Sequence, residues 1–396
     1  MAIPRRLLLV FLLLTLFLTG CWNRRDPELL GLVIATGFDL DPETGLYRII
    51  AQVANPLVIG GQDTGSRGGD EKKPFWVVEA HGHTPFEARQ NLALKTTREL
   101  FWAHNSILAL GENLARNGIT PVLDLFERER QFRLIARPMV VDGDLRSLFE
   151  AEFPLEETSG QGLRRQIVTI MFERTNFPVK ETRDLIATLA SPGFEMMIGR
   201  VEERAARGNS GGTGATNPAK LSGGAAFVGD KMVGWIEERE IAGWNWIWGR
   251  AYRASLVVMS PVDRRPLVVE TYRSRAKMTP QVEGNKVTIH IQIETLGKVQ
   301  DQPSSADLLT KKENLASLER RAATVIKNEV EMVVKRAQEL NSDFLGFGNL
   351  IYRKLPREWE RLEPRWREIF PNVNITVDVR VAIRSPGRVT SAPTIR

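Results

Sequence analysis

The chain has one cysteine and four histidines in 396 residues. A single thiol cannot close a disulfide within the chain, so stability must come from packing. No HExxH pair and no GxxxxGK(S/T) loop occurs. "GFG" at 346–348 begins a GxGxxG string, but Ile351 stands where the third glycine would be, and the dinucleotide reading fails. Charge of one sign is never concentrated. Acids and bases interleave, as in "ERERQFR" and "REWERLEPRWRE", which excludes a basic nucleic-acid arm. Long apolar runs are missing too. Leu7–Leu18 is the longest, at 12 residues, where a comfortable membrane span takes roughly 20. No internal repeat is found.

The one cysteine directly follows this short run. Arg5 and Arg6 precede the apolar stretch, and Leu18-Thr19-Gly20-Cys21 closes it. A positive start, an apolar segment and small residues before a cut describe an export signal. Leu-(Ala/Ser/Thr)-(Gly/Ala)-Cys is the pattern of a bacterial lipobox. Cleavage then falls between Gly20 and Cys21, and Cys21 carries the lipid. Two acyl chains, at ~0.8 kcal/mol per buried methylene, anchor a protein stably where one would not. Cleavage removes Arg5 and Arg6 and no acid, which takes the formal charge from +6 to +4. Hydrophobic residues at 42% and charged residues at 26% are those of an ordinary globular protein.

Beyond Cys21, the sequence predicts an α+β, multi-domain protein. "LLGLVIATGFDL" and "LYRIIAQVAN" flank the turn "DPETG" and read as a strand hairpin, with "FWVVEA" as a third strand. "TPFEARQNLALKTTREL" reads as a helix, with Thr84 as N-cap and Phe86, Leu92 and Leu100 among its apolar residues. "NSILALG" is a strand. "ITPVLDLFERER" and "GDLRSLFEAE" are helices. These elements form a mixed α/β N-terminal domain over 21–204. Residues 205–219, "AARGNSGGTGATNPA", read as a Gly-rich linker. A β-rich middle region follows over 220–284, with a hairpin turning at Gly229-Asp230. The last domain, 285–396, has two strictly alternating strands. Val287, Ile289, Ile291 and Ile293 share one face of the first, and Val373, Ile375, Val377, Val379 and Val381 one face of the second. A long helix over about 307–341, with Leu315, Leu318, Ala322, Val325, Met332 and Leu340 near helical spacing, lies between them. The expected arrangement is an antiparallel sheet with that helix packed on one face.

Chemistry-bearing motifs are weak. His81 and His83 sit two apart on an extended segment and point the same way, but no third metal ligand accompanies them. "GNSGG" at 208–212 matches GxSxG, but a nucleophile elbow needs a strand before it and a helix after it, and this string lies in the linker. No catalytic residue, metal site or cofactor site is assigned. The unusual residue is tryptophan, with nine copies. Trp359 and Trp366, with Leu362 and Phe370, take one side of a helix and read as core. Trp244, Trp246 and Trp248 alternate, so an extended segment would put all three on one face. They read either as core or as an aromatic surface for a partner or the bilayer interface.

The blocks "LTGCWNRRDPELL", "GHTPFEARQNL", "FWAHNSILALGENLARNGITPVLDLFERER", "GGAAFVGDKMVGWIEERE" and "NSDFLGFGNLIYRKLPREWERLEPRW" resemble, in order, those of the Ger(x)C family. That family comprises the lipoprotein C subunits of nutrient germinant receptors in endospore-forming bacteria. Asp343, Gly346, Phe347, Gly348 and the Pro356–Trp359 turn carry the resemblance most strongly. It implies a lipoprotein on the outer face of the spore inner membrane. It implies two integral membrane partners, an A-type subunit with a large soluble part and a B-type subunit resembling amino-acid transporters. It brings no catalytic residues to carry over. The competing expectation is a lipid-anchored solute-binding protein or extracytoplasmic hydrolase, although two similar lobes of comparable size are not seen.

Overall fold

A computed structural model describes residues 29–55, 73–173, 176–204, 217–301 and 311–385. Gly20, Cys21 and the GxSxG string lie outside these residues. Strands β1 (Leu30–Leu40), β2 (Tyr47–Ala54) and β3 (Phe75–Gly82) form an antiparallel meander. Helix α1 (Pro85–Ala93) starts as its sequence dictates: the Thr84 hydroxyl accepts the Glu87 N–H, and Pro85 takes the first helical position. It stops seven residues short of Leu100. Residues Glu99–Phe101 instead form β4, parallel to Leu30–Leu32, and Leu100 is buried there. Next come β5 (Ile107–Gly111), α2 (Glu112–Asn117), α3 (Thr120–Arg128), β6 (Arg137–Asp142), α4 (Leu145–Glu150), α5 (Ser159–Glu173), α6 (Thr182–Leu189) and β7 (Met197–Glu203).

The first sheet does not end at β7. β8 (Ala219–Val228) pairs antiparallel with β7, and β9 (Lys231–Ile236) pairs with β8 around the Gly229-Asp230 turn. The order is β3-β2-β1-β5-β6-β7-β8-β9, with β4 on β1. The Gly-rich stretch expected to divide two domains therefore connects two hydrogen-bonded neighbours of one sheet. The region 220–284 is likewise shared: β8 and β9 complete the first sheet, and its later strands belong to a second. Separate apolar clusters pack on the first sheet. One gathers Phe38, Trp102, Phe126 and Phe132, and the other Phe149, Leu163 and Val201.

The second sheet is β10 (Ser255–Met259), β11 (Pro266–Glu283), β12 (Lys286–Asp301) and β13 (Asn374–Ser385), in that order. Val287, Ile289, Ile291 and Ile293 of β12 are buried, as their alternation requires. β12 and β13, however, run parallel. Alternation is the same for either direction. The helix between them, α8 (Lys312–Glu339), is the kind of crossover that a parallel pair needs. It buries Leu318, Ala322, Ile326, Val330, Val333 and Ala337 against the sheet, each large side chain contributing about 1.5–3 kcal/mol. Met332 stands on its exposed side. After α8, the short helices α9 (Phe347–Lys354), α10 (Pro356–Leu362) and α11 (Trp366–Ile369) cover the same core. Among the described residues no helix is long and apolar enough to cross a membrane.

Candidate functional site

Trp244, Trp246 and Trp248 lie on helix α7 (Glu238–Ile247) and at its C-cap, not on an extended strand. Glu237 and Glu240 form a reciprocal capping box at its start. Helical geometry turns alternate residues to opposite sides. Trp246 is fully buried towards α8, and its indole N–H donates to Glu329 Oε2 at 2.7 Å. Burial pushes the Glu329 carboxyl above its ordinary range, and this bond works against that shift. Gly243 allows the close approach, since a Cβ there would lie 2.1 Å from the Glu329 carbonyl oxygen. Trp244 is 3% exposed, and its indole N–H points to the Phe344 carbonyl at 3.4 Å. Trp248 is half-buried against Phe194, 5.8 Å between ring centroids. Arg250 lies over both Trp244 and Trp248, and Lys180 over Trp244. With Trp244 and Trp246 enclosed, the trio fastens α7 within the core and presents no shared aromatic surface to a partner.

Asp343, in the loop from α8 to α9, is the one charged side chain fully buried among the described residues. The Asp343 carboxylate caps α9: Oδ1 accepts the Phe347 N–H at 2.9 Å and Oδ2 the Gly348 N–H at 2.7 Å. Oδ2 also accepts the Trp366 indole N–H at 3.1 Å. Gly346, at φ +74°, makes the left-handed turn that aims these amides at one carboxylate. Gly348 has no space for a side chain, because a Cβ would lie within 3 Å of the Trp366 indole nitrogen, the Gly193 carbonyl oxygen and the Trp359 ring. Trp359 and Trp366 meet edge to face at 5.5 Å, and with Leu362 and Phe370 they are buried as expected.

This loop also grips the first half of the chain. Asn349 donates its backbone N–H to Gly193 O at 2.7 Å and its side-chain amide to Pro192 O at 3.0 Å. Glu195 N–H donates to Asp343 O at 3.1 Å, and the Ser342 hydroxyl to Phe227 O. Complete burial raises the Asp343 carboxyl to about 7, against the opposing pull of the Gly348, Phe347 and Trp366 N–H groups. Glu195, beside it, is raised by burial, while the Gly229 N–H and Arg367 oppose the shift. Both acids border a cleft of ≈ 250 Å³, also lined by Leu189, Phe194, Trp359 and Arg367. Chemically, the arrangement is a clasp. One carboxylate takes three donors from its own chain and locks α9 to Trp366, while the Asp343 carbonyl and Asn349 bind the segment 192–195 to the same loop.

The other residues singled out by sequence do not join it. His81 lies on β3 and His83 just beyond its end, and no metal-holding group of three or more ligands occurs among the described residues. His290 is on the outer face of the second sheet, with Thr376 and Gln281 as ring partners. Asp343 and its glycines stood out only as a block of resemblance. The glycine that reaches them, Gly193, is 150 residues away and gave no signal.

Comparison with known proteins follows the same two halves. Residues 23–203 match the family domain described as "Spore germination protein N-terminal domain". Residues 222–387 match "Spore germination B3/ GerAC like, C-terminal". The chain belongs to the Ger(x)C family of spore germination proteins. Spore germination protein KC of Bacillus subtilis (strain 168) is 26% identical over 395 residues, covering 96% of this chain and 95% of that protein. Spore germination protein B3 of the same organism is 24% identical over 394 residues, covering 96% and 97%. The crystal structure of the GerBC protein matches with a TM-score of 0.57 at 19% identity, covering 89% of this chain and 98% of that one. That likeness supports the α+β, multi-domain fold. The gap between the two matched domains, 204–221, falls between β7 and β8 and takes in the first three residues of β8.

Proposed function

We propose that this Ger(x)C protein is the lipoprotein subunit of a nutrient germinant receptor. In this reading acylated Cys21 fixes it to the outer face of the spore inner membrane. It works by contact with two integral membrane subunits, one A-type and one B-type, and performs no catalysis of its own. The observation that carries the reading is the end-to-end match with spore germination proteins, joined to a lipobox whose cysteine is the only thiol in the chain. The buried clasp at Asp343 agrees with a role in contact, because it holds the halves of the chain in one relative orientation and so gives partners a fixed surface.

The test is fatty-acid labelling and germination together. Cys21→Ala is expected to leave the fold intact, to take up no label and to lose both membrane retention and the germination response. A Cys21→Ala variant that still incorporates label removes the anchor from this residue. A variant that loses label yet germinates normally, with both membrane subunits still co-purifying, separates the anchor from the function.

A further inference from the structure

The outer face of the second sheet, turned away from α8, carries an unusual mixture at its β10 end. Val257, Met259 and Tyr272, on β10 and β11, are exposed by 62, 51 and 37%, and Tyr252 and Val262, in the segments flanking β10, by 52 and 54%. Val257 and Met259 alternate with Leu256 and Val258, which are buried on the α8 side, so the strand itself fixes the outward direction. Exposed apolar side chains scattered singly need no explanation, but five within 21 residues at one end of a sheet do.

Arginine surrounds this patch. Arg253 precedes β10 and Arg264 follows it, and both hold left-handed backbone, at φ 56° and 58°. Glycine or asparagine would take that conformation more cheaply, by roughly 1 kcal/mol. The nearby acids are engaged: Glu270 pairs with Lys298 at 2.8 Å, and Asp263 lies 3.9 Å from Arg265. Arg264 and Arg273 form no ion pair among the described residues, which leaves positive charge in excess. The basic character continues along the face through Arg273, Arg275 and Arg384, which line a shallow hollow of ≈ 300 Å³ together with Arg380 and its ion-pair partner Glu294, 3.9 Å apart.

We propose that this face lies against a bilayer and binds anionic lipid headgroups. Tyrosine and short aliphatic tips suit the boundary between headgroup and acyl chain, where one end of a side chain is wet and the other is not. The guanidinium fork matches a phosphate with two parallel donors, which an ammonium does not. The proposal rests on the tether at Cys21 only in that a tether keeps a bilayer within reach, and the test below removes the tether.

The mature chain, residues 21–396 with Cys21→Ser, is floated with vesicles of phosphatidylcholine mixed with phosphatidylglycerol, and with phosphatidylcholine alone. Binding is expected only to the mixed vesicles and is lost in high salt. Arg264→Gly, which suits the left-handed turn, and Arg273→Gln are each expected to weaken it about fivefold. Val257→Ser with Met259→Ser is expected to weaken it further. Arg128→Gln, on α3, is expected to change nothing. Equal binding to both vesicle types, or binding unaffected by Arg264→Gly and Arg273→Gln in a normally folded chain, overturns the proposal. So does absence of vesicle binding with loss of a receptor subunit from the same variants, which would assign the face to a protein. Failure of fatty-acid labelling at Cys21 would leave this result untouched, so the two readings fall separately.

Discussion

Asp343 makes a pH measurement informative. Its carboxyl titrates near 3.8 when unfolded and near 7 in the fold. Between those values the folded chain holds a proton that the unfolded chain has released. The unfolding free energy therefore falls as pH rises, by about 1.4 kcal/mol per pH unit, and levels off above the folded value. The stabilising contribution is complete below the unfolded pKa and lost by about pH 7. With the carboxyl 4% exposed, solvent screening does little to reduce it. Over about pH 5 to 7 the loss amounts to about 2 kcal/mol, because the slope halves at the folded value. Asp343→Asn cannot titrate, but its amide places an N–H₂ opposite one of the three donors, at a cost of about 1–3 kcal/mol. Urea unfolding, followed by tryptophan fluorescence for both proteins across this range, isolates the effect as a difference. Wild type is expected to lose its advantage over Asp343→Asn steadily towards pH 7 and to hold a constant difference above it. A difference that is flat from about pH 5 to 7 would show that the three N–H donors keep the carboxylate ionised throughout.

Further outcomes follow from packing. Trp366→Ala is expected to cost about 3–5 kcal/mol in thermal or urea unfolding, whereas Trp366→Phe, which chiefly loses the N–H donated to Asp343, is expected to cost about 1–2 kcal/mol. Gly243→Ala must push α7 from the Glu329 carbonyl and is expected to destabilise by about 1–3 kcal/mol; an unchanged midpoint would refute the close approach. Trypsin cleavage after Arg204 is expected to leave the fragments co-eluting on gel filtration and separating only in denaturant, because β7 and β8 remain paired.

Much of the architecture was legible where a local rule acts alone. Thr84 capped α1, Gly229-Asp230 turned a hairpin, and the alternating segments Val287–Ile293 and, from Ile375 on, Val373–Val381 became strands of one sheet. The failures came where two structures share one pattern. Tryptophan at every second position suits a strand, and only the Glu237/Glu240 box, built without Ser or Thr, marked the helix that contains them. Alternation does not distinguish parallel from antiparallel pairing, although a long helix between two strands favours the former. A Gly-rich segment has the same composition whether it links domains or loops between neighbouring strands. Of the clasp, Asp343 and Trp366 were visible in the sequence as residues of note. Their attachment to Gly193 was not, since it depends on contacts across 150 positions.

The pairing of β7 with β8 also bears on how relatives in this family can exchange parts. A crossover placed at the gap between the two Ger(x)C domains would give the first sheet its last two strands from a different parent. Such a hybrid must reconcile the register that joins Met197 to Ala226 and Glu203 to Ala219, along with the Gly193–Asn349 junction. Crossing over after Ile236 instead would keep the first sheet from one parent, leaving the α7 and clasp contacts and those of Arg336 and Leu340 with β9 to be matched. Inheritance in this architecture is thus divided at a different point from the one that sequence comparison marks.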